Sequence, residues 1–162
     1  MTFKWASYIS LAETLITDPV SNSNSPPSDK QQAIFRAALS RAHCGLFNCA
    51  CNYLRDVEKD EVFQLQLRKN QGLTLSFAEE NQLKLAQAAI HTHVSNQLAI
   101  DARDAQRNRL RKALRKELGE LKERRIESDY RETATFRYNS VKSAIRDAQV
   151  AVGHIIQLSS QR

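Results

Sequence analysis

An all-α fold, an up-and-down bundle of five to six helices in a single domain, is predicted by three observations. Gly and Pro are scarce, four and three in 162 residues, while good helix formers abound. Apolar residues recur at spacings of three and four through most of the chain. Segments of Ser, Asn, Pro and Gly separate these periodic stretches. The length suits one core and excludes two large domains.

The first helix is predicted over 3–17, where Trp5, Tyr8, Ile9, Ala12, Leu15 and Ile16 form one stripe before Asp18-Pro19 stops it. A flexible Ser/Asn/Pro loop at about 18–28 follows. It closes on Ser28 and Gln31, a capping box in which each side chain satisfies the other residue's free amide. The second helix, about 29–57, carries Ile34, Phe35, Ala38, Leu39, Ala42, Leu46, Phe47, Ala50, Tyr53 and Leu54 on a face wide enough for several neighbours, so it should be central. A short piece at 61–69 stops near Gly72. Ser76 and Glu79 then cap a helix expected to run unbroken from Phe77 to about Ile100. Another covers about 102–128. The last runs from Asn139, as cap, to Leu158, with Val141, Ala144, Ile145, Ala148, Val152, Ile155 and Ile156 inward.

No apolar run reaches the ~18 residues a membrane span requires, and the first twenty residues lack a cleavable leader pattern, so a soluble, cytoplasmic protein is expected. Cys44, Cys49 and Cys51 are odd in number and lack CxxC spacing or a partnering His pair. They read as buried, reduced thiols, and neither a metal nor a cofactor is expected.

The chain has 24 Lys and Arg against 18 Asp and Glu, a formal charge of +6. Between Arg103 and Lys116, seven basic residues face one acid, so this single stretch carries the whole excess. Arg103, Arg107, Arg111 and Arg115 repeat every four residues as a ridge, beside the stripe Leu110, Leu114, Leu118 and Leu121. Such a ridge suits RNA phosphates, an acidic protein partner, or simple solvation. Continuing the stripe by four reaches Arg125, a charge in line with the apolar face and in need of a partner. Asp129 lies one turn on, with Tyr130 beside it. These three are the candidate catalytic residues, as either a pair sealing the helix end or a functional polar cluster.

The stretch from Arg36 to Ala50, with Ser40-Arg41-Ala42-His43-Cys44-Gly45-Leu46-Phe47, resembles the central helix of HEPN-domain proteins, where Ser-Arg-Ala-Tyr-Tyr-Ala-x-Phe is usual. His43 and Cys44 stand at the two tyrosines. Leu121 to Tyr130 is similar to the family's Leu-x-x-x-Arg-x-x-Ala-Asp-Tyr, Ile90-His91-Thr92-His93-Val94 to a His-containing segment between the two, and Ala144, Ala148 and Ile155 to its closing helix. The resemblance implies a helical bundle that forms a homodimer, a minimal nucleotidyltransferase as partner protein, and a place in a toxin–antitoxin or defence module. Many members are metal-independent ribonucleases with an Arg-x4-6-His signature. Here no histidine follows Arg124 or Arg125; Asp129, Tyr130 and Arg131 occupy that stretch.

The departure matters because metal-free RNA cleavage needs a proton donor or acceptor near neutral pH. An Asp beside an Arg is held ionised, and tyrosine titrates too high. His43, His91, His93 and His154 lie on other helices, and His43 reads as a core or interface imidazole. Three functions follow: a dimeric RNA- or nucleotidyltransferase-binding subunit, a ribonuclease toxin that uses Arg125 with a non-standard acid/base, and a structural adaptor.

Overall fold

The computed structural model describes residues 4–17, 27–102, 104–131 and 133–160. These form seven helices and no strand: α1 (Ala6–Ile16), α2 (Asp29–Asp56), α3 (Glu61–Asn70), α4 (Phe77–Ala88), α5 (Ile90–Ala99), α6 (Ala105–Tyr130) and α7 (Tyr138–Ser160). The all-α bundle is as predicted, with a higher helix count. Most of the 18–28 loop, and Arg103, lie outside the described residues.

Local chemistry sets the helix starts. Ser28 and Gln31 exchange both bonds of their capping box, at 2.8 and 3.3 Å, and Ser76 and Glu79 do the same at 2.8 and 3.3 Å. Asp60 caps α3 by accepting from the Phe63 amide, and Asp104 caps α6 by accepting from Arg107. No helix of the described residues is long and apolar enough to cross a membrane.

The main core lies among α1, α2, α6 and α7, with α2 central. Phe35, Leu39, Leu46 and Leu54 of α2 meet Ile9 and Ile16 of α1, Leu114 and Leu121 of α6, and Ile145 and Leu158 of α7. A smaller cluster, Val62, Leu65, Leu75 and Leu83, joins α3 to α4. This second cluster explains why the expected 77–100 helix breaks at Ala89. Leu83 serves the small cluster, whereas Val94 and Leu98 of α5 serve the main one, so the chain turns with Ala89 at φ −128°.

Two further details differ from expectation. Asn139 sits inside the first turn of α7 and is not its cap; the carbonyl of Arg137 accepts from Ser140 and Val141. The preceding loop is held from α2, where Gln32 bonds both the amide and the carbonyl of Phe136, at 2.9 and 2.8 Å. Ile156 is 64% exposed, and Leu158 takes the inward position. The cysteines are free and partly buried; burial pushes the Cys51 thiol up to about 12, which makes it inert.

Two helical glycines have opposite surroundings. A Cβ on Gly45 of α2 would lie 2.8 Å from Ile9 Cγ1 and 3.1 Å from the Trp5 carbonyl, so its bareness is what lets α1 approach. A Cβ on Gly119 of α6 would meet nothing within 4 Å. Gly119→Ala is therefore expected to raise stability by up to about 1 kcal/mol through helix propensity. Gly45→Ala is expected to lower it by about 1 kcal/mol, overpacking outweighing the same gain. Denaturant melts of the two variants check the contrast, and equal shifts would disprove it.

Candidate functional site

α6 brings its C-terminal half against α2 and α5, and two of the three predicted residues, Arg125 and Asp129, meet there. Arg125 Nε donates to Asp129 Oδ2 at 3.1 Å, the one-turn pair expected from the spacing. Ser128, buried, donates to Asp129 Oδ1 at 3.1 Å and to the Arg125 carbonyl at 2.9 Å. Tyr130 is not part of this cluster: it is 77% exposed, two positions past the buried Ser128.

The other side of Arg125 holds what sequence separation hid. Arg125 Nη1 lies 3.5 Å from His43 Nδ1, across 82 positions of chain. A guanidinium only donates, so Nδ1 accepts and the imidazole proton resides on Nε2. That Nε2 is buried without a hydrogen-bond partner. The His43 ring lies 5.3 Å from the ring of His91, and His91 packs on Phe47 at 4.1 Å between centroids. Burial, then the nearby His91, Arg125 and Lys122, lower the His43 pKa to about 4, although Asp129 opposes this. His91 is also lowered, by burial and by Lys122 and Arg125. Both rings are therefore neutral at pH 7. His93 belongs elsewhere, with Nε2 3.1 Å from both carboxylate oxygens of Asp60.

The end of α6 is fixed from behind. Arg36 of α2 donates to the carbonyls of Ser128, Arg131 and Ala134, the last two at 3.0 and 2.9 Å, and its guanidinium lies 5.6 Å from the Phe136 ring centre. It satisfies carbonyls that the last helical turn leaves open, and so holds Arg125 and Asp129 in place.

The arginine ridge is not a row of solvated charges. Arg107 Nη2 lies 2.8 Å from Glu58 Oε1 and 3.3 Å from the Tyr53 hydroxyl. The side chain of Arg111 is only 7% exposed, with Nη1 3.3 Å from the same carboxylate oxygen and Nη2 donating to the Gln97 carbonyl. Burial opposes ionisation of Glu58, but bonds from Tyr53 and Arg107 and the charge of Arg111 outweigh it and hold the carboxyl below its usual range. Arg111 lies three residues before Leu114 in the same stripe that reaches Arg125, a spacing that marks it as inward-facing. Arg115 alone of the described ridge reaches the surface, where its Nε donates to Ser95 Oγ at 3.0 Å.

Arg115 belongs to a wider group of cations on α6. Lys112, Arg115, Lys116 and Arg124 line an open depression of about 710 Å³ together with Glu120 and Glu123. Beside it is a more enclosed cavity of about 230 Å³, whose wall includes Phe47, His91, Arg115, Gly119 and Lys122. No family model, curated protein or solved structure matches the chain. Among the described residues no three His, Cys, Asp or Glu side chains gather as a metal-binding group.

Chemically, the cluster offers a guanidinium for an anionic oxygen and a neutral, half-buried imidazole at a cavity wall. Phe47, His43 and His91 are members that sequence reasoning did not assign to it. The signal for His43 was its place one turn before Phe47 on a face already read as apolar. For His91 the signal was only the likeness of its segment to a His-containing one, because nothing in the chain states that α5 crosses α6 there.

Proposed function

We propose that this chain is a HEPN-like subunit that forms a homodimer and binds RNA through the cleft where α2, α5 and α6 meet. The observation that carries this reading is the convergence of Arg125 with His43 and His91 beside a cavity rimmed by Arg115 and Lys122. A groove with exposed cations attracts phosphates, and each neutralised phosphate releases counterions. The resemblance in the central and signature helices adds the minimal nucleotidyltransferase partner and the toxin–antitoxin or defence setting.

Fluorescence anisotropy with labelled RNA across a salt series, with light scattering for the oligomeric state, tests this. Affinity is expected to fall steeply with salt. Arg115→Ala with Lys122→Ala should make the slope of log K against log salt shallower by about 2. A monomer with no RNA binding at low salt leaves the adaptor reading in its place.

A second reading, a metal-independent ribonuclease, is favoured by one specific observation: histidines from α2 and α5 stand beside Arg125, where the Arg-x4-6-His spacing lacks one. His91, neutral at pH 7, suits a base for a 2′-hydroxyl, with Arg125 on the developing charge. Cleavage of total RNA in EDTA is then expected. His91→Ala and Arg125→Ala should each slow it by about 100-fold or more. Intact RNA after prolonged incubation rules the ribonuclease out.

A further inference from the structure

We infer that the two neighbouring cavities on α6 form one nucleotide subsite, with a phosphate seat at Arg115, Lys116 and Arg124 joined through Gly119 to a base pocket at Phe47 and His91. The inference rests on the RNA-binding reading for its phosphate side and adds recognition of a single unstacked base. Ser95, Arg115, Gly119 and Glu123 line both cavities, so they are contiguous. The outer one is open and presents four cations against two carboxylates. Among the described residues Arg115 is engaged only through Nε, by Ser95, which leaves its terminal nitrogens as a fork for a phosphate.

The inner cavity, about 230 Å³, falls below the ~300 Å³ at which pockets for drug-sized ligands begin, which suits a single ring system. Two rings packed at a tilt of 36° form part of its wall, Phe47 and His91 at 4.1 Å between centroids. Aromatic faces of this kind hold bases of a single strand, because a duplex keeps its bases stacked on each other. α6 itself lacks an aromatic residue before Tyr130, so the rings come from α2 and α5. Gly119 is the link: it sits inside a 26-residue helix with open space at its Cβ position, on the wall the two cavities share. Any large side chain there projects into the passage.

The test uses the full chain with a labelled ten-nucleotide single-stranded RNA, the corresponding duplex, and AMP as competitor, at low salt. Single-strand affinity is expected to exceed duplex affinity, and Gly119→Leu should weaken the single strand about tenfold while leaving the duplex unchanged. Leu is a better helix former than Gly and its Cβ has open space at that position, so circular dichroism should show the fold intact. Phe47→Leu, which removes the ring and keeps apolar volume, should weaken it similarly. If both variants bind the single strand as the parent does while Arg115→Ala with Lys116→Ala weakens it, the base pocket is overturned and the RNA-binding reading stands. If RNA fails to bind but AMP binds and Gly119→Leu abolishes that, the subsite stands and the RNA reading falls. Absence of binding by RNA and AMP alike overturns both.

Discussion

Lowering the pH from 7.5 to 4.5 is expected to remove about 2 to 3 kcal/mol of folding stability through His43 alone. The ring is 1% exposed, and its pKa in the folded chain is about 4 against an ordinary 6.5. The sign follows from proton uptake. Below 6.5 the unfolded chain binds a proton at this position and the folded chain does not, so stability falls until about pH 4 and then levels. The groups that face the ring are His91, Arg125, Lys122 and Asp129; the first three favour its neutral form and Asp129 opposes them. His91, also lowered, adds to the loss in the same direction. Glu58 acts in a separate window: its depressed pKa makes its contribution full above about 4.5 and lost only as the pH falls further. Denaturant melts at pH 7.5, 5.5 and 4.5 of the parent and of His43→Leu measure the effect. The variant should lose markedly less than the parent across that range, and parallel losses would assign the acid sensitivity elsewhere.

Glu58→Ala is expected to destabilise the fold by about 3 kcal/mol, because it strands Arg107 and the buried Arg111 without their shared carboxylate. The same change removes the acceptor of the Tyr53 hydroxyl, whose pKa burial and this carboxylate push up to about 12. Glu58→Gln, which keeps an acceptor but no charge, should cost less. Arg111→Met in the Glu58→Ala background should recover part of the loss, since it replaces a stranded charge by an apolar side chain of similar reach. Denaturant melts of the parent, Glu58→Ala, Arg111→Met and the double variant close the cycle. Additive effects would show that Glu58 and Arg111 do not act as a pair.

The same network explains what a sequence reading of the ridge leaves open. Four arginines at a period of four mark one side of a helix, but the period does not say which side faces water. Glu58 is 49 positions before Arg107, in the turn just after α2, and only the packing of α2 on α6 brings the two together. The result is a part-buried ion cluster where RNA, an acidic partner and water had all been open, and the cations that line the open depression are Lys112, Arg115, Lys116 and Arg124. Arg125 and Asp129 were legible because their pairing is one turn long. His43 and His91 were not, because their approach to Arg125 requires three helices to be assembled.

Helix type, the two capping boxes, the broad apolar face of α2 and the apolar stripe of α6 follow from residue order within a turn or two, which the sequence dictates directly. The break at Ala89, the outward turn of Ile156, the neutralised ridge and the His43–Arg125 contact were decided by tertiary packing. Their physical reason is common: burial and charge pairing act over a few ångströms in space, and across 49 or 82 positions that distance is set only once the helices have packed.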